Sequence, residues 1–330
     1  MSKHLLIIRL SAFGDVAMVV PAVRVLRNKY PELKITVLTK EIFSSLFNQI
    51  DDINFLFFKQ KHKSIKGVFS LSKEINKIKP DQIIDLHNVI RTKLLRIFLS
   101  FRINNFRVLN KGRRQKISLI KGGPLIKLKS MHQRYLEALE LSTNKLSFDS
   151  FIYYKKLNIS QMNLKLAKNK KLIGIAPFAM HMCKQYSLNK ILKIIELLEI
   201  DYNILIFCAE GEEEKLIKEK SNLHIISSKY SLADQMAVMS NIDIMLSMDS
   251  ANGHIASLFG INVITLWGAT HPYVGYAPFG QPEKNSLLPD KKLFPRTPVT
   301  IYGANCPKNY VDAINSIKVE DIVKRINNTI

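Results

Sequence analysis

Short runs of aliphatic and β-branched residues recur along the chain, and stretches with helical spacing of apolar residues separate them. In the first half, the apolar runs predict strands over Leu5–Ile8, Ile35–Leu38, Phe55–Phe58, Ile83–Leu86 and Phe106–Leu109. The helical spacing predicts helices over Ala17–Lys29, Leu71–Ile78 and Ile90–Leu99. Because the apolar runs lack polar alternation, we expect strands buried on both faces, as in a parallel sheet covered by helices.

The second half repeats this alternation with its own strands and helices. Its apolar runs predict strands over Leu172–Ala176, Ile204–Cys208, His224–Ile226, Ile242–Leu246 and Val263–Leu266. Helices are expected over Asn189–Leu198, Glu212–Lys220, Ser231–Met239, Gly253–Phe259 and Val319–Ile330. Two successive series of this kind predict two doubly wound α/β domains, which we place at residues 1–160 and 161–330. The last helix belongs to the second domain or packs back on the first.

Length and composition describe a folded globular protein. A chain of 330 residues suits two domains, and 47% hydrophobic with 23% charged residues excludes a disordered chain. No apolar run approaches the ~20 residues that cross a bilayer, and the amino terminus lacks the cleavage site of a signal peptide. The cysteines Cys183, Cys208 and Cys306 are far apart in sequence, which suits a reducing compartment. We therefore expect a cytoplasmic protein.

The positive charge of the chain is concentrated in its first half. Residues 1–160 contain 30 Lys and Arg against 11 Asp and Glu, whereas residues 161–330 contain 19 against 16. Such a one-sided field attracts polyanions, which include nucleic acid, an anionic lipid surface and a phosphorylated glycolipid. A solvated lysine-rich surface explains part of the excess, but it does not explain the nearly neutral second half.

The loop after the first strand, Arg9–Val16, contains a carboxylate in a position that can carry chemistry. It matches neither the dinucleotide-binding fingerprint nor a phosphate-binding P-loop. Gly14 permits a tight turn, and Asp15 then lies near the start of a helix. Asp15 is either a helix N-cap or a general base that takes a proton from an acceptor hydroxyl.

In the second half, polar and small residues follow a buried strand over Met248–Ala256 and open a helix. The amino end of a helix offers free N–H groups and a partial positive charge to a diphosphate. Asp249 or Ser250 can instead be a plain N-cap, and His254 an ordinary helix residue. The turn Trp267–Pro272 follows the next strand and is either a simple turn or a wall of the same pocket.

Two further charged residues follow strands of the second half. Lys184 lies between a strand and a helix, where it can offer a cation to a phosphate. Glu212 opens a predicted helix, and it is either a first-turn acid that suits the helix dipole or an acceptor for ribose hydroxyls.

Several motifs, in the same order along the chain, resemble the lipopolysaccharide heptosyltransferase family, glycosyltransferase family 9. They are Ile7–Val16 with Pro21–Leu26, Ile84–Arg91, Lys111–Lys116, Met248–Ala256 and Leu266–Pro272. The resemblance implies a GT-B fold, in which two Rossmann-like doubly wound domains face a central cleft, with the acceptor side first. It also implies metal-independent, inverting transfer of heptose from ADP-heptose to an anionic glycolipid acceptor of the lipopolysaccharide core. No cofactor is expected beyond the nucleotide sugar.

The same resemblance assigns roles to individual residues. Asp15 is implied as the general base. The implied acceptor-binding residues are Ser11, Gly14, Arg91, Lys111, Arg113 and Arg114. For the donor, Lys184 and the backbone of Ser250, Ala251 and Asn252 hold the diphosphate. Glu212 and Asp249 lie by the nucleoside or donor sugar, and His254 lies close to the phosphates.

Charge and resemblance together predict salt-sensitive association with the inner leaflet of the cytoplasmic membrane. Other functions remain open at this point. A transferase or epimerase that uses another nucleotide sugar, such as a UDP-sugar, has the same fold. A family member that binds a nucleotide without turnover is also open, because Ala251 replaces a glycine usual in the family. A nucleic-acid-binding protein is less favoured, since the basic stretch Lys59–Lys129 lacks aromatic residues interleaved in the manner that stacks bases.

Overall fold

The structure is a computed structural model that describes residues 3–100, 103, 105–140, 146–160, 162, 164, 166–167, 169–212, 224–226 and 230–330. The chain forms two compact units. The first contains Met1–Lys111 and Met131–Ile152, and the second contains Gly112–Ser130 and Tyr153–Ile330. This division differs from the predicted one because the segment 112–130 packs on the second unit. There Leu128 N–H donates to the Tyr273 carbonyl at 2.9 Å, and the Lys116 ammonium lies 4.0 Å from the Tyr276 ring centre.

The first unit contains a parallel sheet that follows the predicted strands closely. Its strands are β1 (His4–Ile8), β2 (Lys34–Thr39), β3 (Ile53–Phe57), β4 (Gln82–Asp85) and β5 (Phe106–Val108). The strand order is β3-β2-β1-β4-β5, and neighbouring strands run parallel. Every residue of β1 is buried, as the unbroken apolar run Leu5–Ile8 predicts for all but His4.

Helices cover this sheet. They are α1 (Phe13–Lys29), α2 (Ile65–Ile78), α3 (Ile90–Leu99) and, after the excursion into the second unit, α5 (Met131–Leu139). The sequence pattern does not predict α5. It packs on α1, where the His132 imidazole Nδ1 is 3.1 Å from the Met18 carbonyl and Tyr135 is fully buried.

The second unit has a similar parallel sheet with one further edge strand. Its strands are β6 (Leu172–Ala176), β7 (Asn203–Phe207), β8 (His224–Ile226), β9 (Ile244–Met248), β10 (Asn262–Leu266) and β11 (Ser286–Leu287). The order is β11-β10-β9-β6-β7-β8, and neighbouring strands again run parallel.

The helices of the second unit include the end of the chain. They are α4 (Arg113–Ile120), α6 (Leu188–Leu198), α7 (Leu232–Met239), α8 (Ala251–Leu258) and α9 (Val319–Asn327). Ile322 and Ile326 of α9 share a core with Ile191 and Ile195 of α6, so the last helix belongs to the second unit. Of the helix predicted over 212–220, residues 213–220 lie outside the described residues. Within the described ranges, no helix has the length and apolarity that a bilayer crossing needs.

Each sheet has one point where the chain turns from one side to the other. In the first unit this switch point lies between β1 and β4, and in the second between β6 and β9. Ligands of open α/β sheets bind beyond the carboxyl ends of the strands at such points. The loops after these four strands are therefore where functional side chains are expected.

Candidate active site

At the switch point of the first unit, Asp15 is held by an arginine from the end of β1. One terminal nitrogen of the buried Arg9 side chain, Nη2, is 2.7 Å from Asp15 Oδ2. The other, Nη1, donates to the Leu86 carbonyl after β4 at 2.8 Å. Asp15 Oδ2 also accepts the N–H of Ala12 at 3.3 Å. Because α1 begins at Phe13 after the cap Ala12, Asp15 is the third residue of the helix and the N-cap interpretation is wrong.

A buried histidine from the β4 loop faces the same opening loop. His87 Nδ1 accepts the N–H of Leu10 at 3.4 Å, which leaves the proton of a neutral ring on Nε2, 3.4 Å from Ser11 Oγ. Burial, with the charges of Arg9 and Lys111, lowers the pKa of His87 to about 3. The imidazole is therefore neutral at physiological pH and presents an N–H beside Ser11.

The remaining predicted acceptor residues of the first unit differ in position. Arg91, in the first turn of α3, lies 5.2 Å from the Phe58 ring centre, and with Lys111 it adds positive charge around His87. Gly14 does not form the predicted tight turn. It is the second residue of α1, and it is not among the glycines with positive φ.

Arg113 and Arg114 lie on the second unit rather than with the other predicted acceptor residues. They are the first two residues of α4, and both side chains are exposed. Two guanidinium groups at a helix start do not stabilise the helix dipole, whose amino end is already positive.

At the switch point of the second unit, a nearly buried ion pair joins two of the predicted donor residues. Lys184 Nζ, after β6, is 2.7 Å from Asp249 Oδ2, after β9, and 3.4 Å from the Asp249 carbonyl oxygen. The Thr270 hydroxyl, from the turn after β10, donates to the same carboxylate oxygen at 2.9 Å. Asp249 therefore fixes the ammonium of Lys184, and the Trp267–Pro272 turn does contribute to this site.

Two glycines allow the backbone to approach Lys184. A Cβ at Gly268 would lie 2.0 Å from the Cys183 carbonyl oxygen, which accepts the N–H of Ala269 at 3.2 Å. A Cβ at Gly303, where φ is +91°, would lie 2.9 Å from Lys184 Cε. The lysine is thus enclosed by the turn after β10 and by a later loop.

The predicted phosphate cradle is the amino end of α8. Ser250 is the N-cap, but its side chain does not cap the helix; its hydroxyl lies 3.2 Å from the Ser247 hydroxyl. Ala251 and Asn252 are the first two helical residues and are partly exposed. His254 is buried one turn further on. The open backbone amides of this helix start, next to the lysine loop, can bind an anion.

Glu212 has a local role. Its carboxylate accepts the N–H of Ala209 at 2.9 Å in the turn after β7, so it stabilises that turn at the same edge of the sheet.

Arg9, His87 and Thr270 are the residues whose roles the sequence did not reveal. All three lie within the motifs named from the sequence. Their position after a strand could have identified them, because Arg9 and His87 follow the strands at the switch point of the first unit and Thr270 follows a strand next to the switch point of the second. Among the described residues, no group of three His, Cys, Asp or Glu side chains is arranged to hold a metal ion.

Both the sequence and the fold resemble those of known proteins. The sequence is 25% identical over 296 residues to the lipopolysaccharide core heptosyltransferase OpsX of Haemophilus influenzae, covering 82% of this chain and 80% of the relative. Among solved structures, a family 9 glycosyltransferase from Veillonella parvula superposes with a TM-score of 0.74 at 19% identity. ADP-heptose lipopolysaccharide heptosyltransferase II of E. coli superposes with a TM-score of 0.70 at 15% identity.

Both structural matches cover 100% of this chain and 98% of the other, and at these identities they show the fold alone. They confirm the predicted GT-B fold class of two parallel-sheet α/β domains. The sequence model of glycosyltransferase family 9 (heptosyltransferase) matches residues 68–292, which is more than half of the chain. The protein is therefore a glycosyltransferase and belongs to family 9, the heptosyltransferases.

Proposed function

We propose that the protein moves a heptose from ADP-heptose to an anionic glycolipid acceptor of the lipopolysaccharide core. The names of its relatives support the donor and the acceptor class. The observation that carries the proposal is the pair of switch points. A partly exposed carboxylate, Asp15, lies at one, and an ammonium, Lys184, lies at the other beside an open helix start.

In this proposal Asp15 activates the acceptor. Its contacts with Arg9 and Ala12 both involve Oδ2, and within the described residues Oδ1 makes no hydrogen bond or ion pair. Oδ1 therefore accepts the proton of the incoming hydroxyl, while Arg9 fixes the orientation of the carboxylate. The neutral His87 ring beside Ser11 donates its N–H to the acceptor. Because the ring is uncharged, it adds no positive charge that would oppose transfer of the proton.

The leaving group is stabilised by fixed positive groups of the second unit. Departure of ADP places negative charge on the diphosphate, and the Lys184 ammonium with the amides of α8 meets that charge. Asp249 and Thr270 hold the lysine in one orientation before the donor binds, which avoids reorganisation during the reaction. A single displacement at the anomeric carbon inverts its configuration, and this arrangement does not require a metal.

The acceptor also determines where the protein works. A glycolipid of the lipopolysaccharide core type is carried by the cytoplasmic membrane. We therefore place the enzyme in the cytoplasm, at the inner face of that membrane. The basic first half, with 30 Lys and Arg against 11 Asp and Glu, is attracted to anionic lipid there.

The test replaces the proposed base. Asp15→Asn keeps the shape and the contacts to Arg9 and Ala12 but removes the basic oxygen. We expect the rate of heptose transfer to fall by about 10²–10⁴-fold. Donor binding is expected to be unchanged, as measured by the rise in melting temperature that ADP-heptose causes.

Ser44→Ala is the matched control in the same unit, since Ser44 makes only a local bond to the Glu41 carbonyl. Transfer by Asp15→Asn at the wild-type rate would refute the assignment of Asp15. A larger rise in melting temperature with UDP- or GDP-sugars than with ADP-heptose would refute the proposed donor.

A further inference from the structure

The outward faces of α2 and α3 carry large apolar side chains that the transfer reaction does not use. Ile65 and Phe69 of α2 are 69% and 47% exposed, and Ile90 and Ile97 of α3 are 86% and 59% exposed. Residues at these spacings lie on one face of a helix. The rings of Phe69 and Phe98 pack edge to face with centroids 5.4 Å apart, which joins the two faces. We name Ile65, Phe69, Ile90 and Ile97 the α2–α3 patch.

Positive charge surrounds the α2–α3 patch. The Lys73 ammonium lies 4.7 Å from the centre of the Phe69 ring. The one acidic residue of α2, Glu74, is already paired with Lys61 at 2.8 Å, and α3 contains no acidic residue. The surface is therefore apolar at its centre and cationic at its border. Exposed lysines on both helices form this border: Lys66, Lys73, Lys77 and Lys93.

The α2–α3 patch extends to the edge of the sheet that carries Asp15. The two helices follow β3 and β4, and both return along the sheet to begin the next parallel strand. Each helix therefore begins at the carboxyl edge of the strands, and Ile65 and Ile90 are the first residues of their helices. Asp15, in the first turn after β1, lies at the same edge.

Scattered exposed apolar residues are ordinary, but four on adjoining helix faces inside a border of lysines are typical of a membrane-surface element. A nucleic acid would use the lysines and leave Ile65, Phe69, Ile90 and Ile97 exposed. Protein interfaces are depleted in lysine. An anionic bilayer matches both features, since its headgroups carry negative charge and its acyl region accepts apolar side chains.

We propose that the α2–α3 patch inserts into the interface of a bilayer that contains anionic phospholipid, while its lysines bind the headgroup phosphates. This inference rests on the proposed function in linking the membrane to the acceptor, and it goes beyond attraction by charge. Docking in this way brings the carboxyl edge that carries Asp15 to the membrane surface, where the acceptor hydroxyl is presented.

The first test is sedimentation of the full chain with vesicles of phosphatidylethanolamine and phosphatidylglycerol. The double variant Ile65→Ser/Phe69→Ser leaves the net charge unchanged, and we expect its affinity to fall by about tenfold or more. Ile200→Ser/Leu197→Ser in the second unit is the matched control, because these side chains are 72% and 47% exposed. The control variant is expected to bind like wild type.

A charge variant separates the two parts of the surface. Lys66→Gln/Lys73→Gln is expected to weaken binding to the anionic vesicles at low salt. Lys284→Gln/Lys292→Gln, which removes two exposed lysines from the second unit, is expected to have little effect. Vesicles of phosphatidylcholine alone are expected to bind all variants weakly.

A fluorescence measurement tests insertion directly. The chain has one tryptophan, Trp267, which is buried in the second unit. In Phe69→Trp, the added emission is expected to shift to shorter wavelength when anionic vesicles are present. In Leu197→Trp it is expected to stay unchanged. The signal of wild type with vesicles is subtracted in both cases.

Equal vesicle affinity of Ile65→Ser/Phe69→Ser and wild type would overturn the inference, as would an unshifted Phe69→Trp spectrum. Loss of binding only in the lysine variant would show attraction by charge alone, and stronger binding to DNA than to vesicles would show another partner. Each of these results also overturns it. Vesicle binding needs no sugar donor, so failure of heptose transfer with intact binding would refute the proposed function and not this surface.

Discussion

Burial of one histidine side chain near the site makes the stability of the second unit depend on pH. His271, in the turn that contributes Thr270, is buried, and its Nδ1 accepts the N–H of Tyr273 at 3.1 Å. Burial, with the positive charge of Lys291, lowers the pKa of His271 to about 4. The unfolded chain takes up the proton near pH 6.5, so between these values it binds more protons than the folded chain. Stability conferred by the neutral ring is therefore present above pH 6.5 and lost as pH falls toward 4.

His271→Asn is expected to reduce this pH dependence. Asparagine keeps an acceptor for the Tyr273 N–H but does not titrate. Between pH 7 and pH 4, the free energy of unfolding of the wild type should fall by roughly 3 kcal/mol more than that of the variant. Denaturation followed by the fluorescence of Trp267, the only tryptophan, reports on this unit. His224→Asn, at a partly exposed strand position, is the control; equal slopes for His271→Asn and wild type would contradict the expectation.

At the residue scale, the sequence identifies the residues of the site better than it identifies the role of each one. Asp15 stands out by its position after β1, but position alone does not separate a helix cap from a base. The structure excludes the N-cap because α1 begins at Phe13, and it shows that Arg9 at the end of β1 holds the carboxylate, a contact that the sequence does not reveal. Asp249 is similar: the sequence marks it as a donor residue, but its contact with Lys184, 65 residues earlier in the chain, depends on the pairing of β6 with β9.

At the scale of elements, the close packing of the turn after β10 against the loop that contains Cys183 determines where Lys184 lies. Gly268→Ala would place a methyl group 2.0 Å from the Cys183 carbonyl oxygen, so the lysine loop must move. We expect the free energy of unfolding to fall by about 1–3 kcal/mol. Binding of ADP-heptose, followed by thermal shift, is expected to weaken with it. Trp267 fluorescence during denaturation measures the stability.

Gly253→Ala in α8 is the matched control. Its added Cβ would meet a side chain, Val263 Cγ1, at 3.2 Å, and an alanine is favoured over glycine within a helix. We expect a smaller loss or none. If Gly268→Ala lost no more stability than Gly253→Ala and bound ADP-heptose as wild type does, the close approach would not be needed to position Lys184.

The elements that the sequence predicts well are those with unbroken apolar runs. The predicted strands from β1 to β10 are present with shifts of a few residues at their ends. The pattern does not predict α5 because buried His132 and Arg134 interrupt its apolar face. It does not predict α4 because three of its eight residues are basic and its apolar residues lie only in its second half. β11 has two residues, too few for a pattern to emerge.

For the whole molecule, we expect transfer without a divalent metal. In the proposed mechanism, the Lys184 ammonium and the amides of α8 supply the positive charge that a metal would otherwise supply to the diphosphate. The rate of heptose transfer after dialysis against EDTA should equal the rate before dialysis. A rate that falls and is restored by Mg²⁺ or Mn²⁺ would contradict this expectation. Melting curves with and without EDTA show whether the fold itself is unchanged.

The packing of residues 112–130 on the second unit, between two segments of the first, has a consequence for biosynthesis. The first unit needs α5, whose Tyr135 is fully buried, yet α5 follows a segment that packs on the second unit. A ribosome that has released only the first 111 residues has therefore not supplied the whole first core. The segment that follows can take its place only after the turn around Tyr273 has been synthesised. Nascent chains halted after the first 111 residues are expected to be cut readily by proteases. For the same reason, no single cleavage point would divide the chain into two independently stable halves.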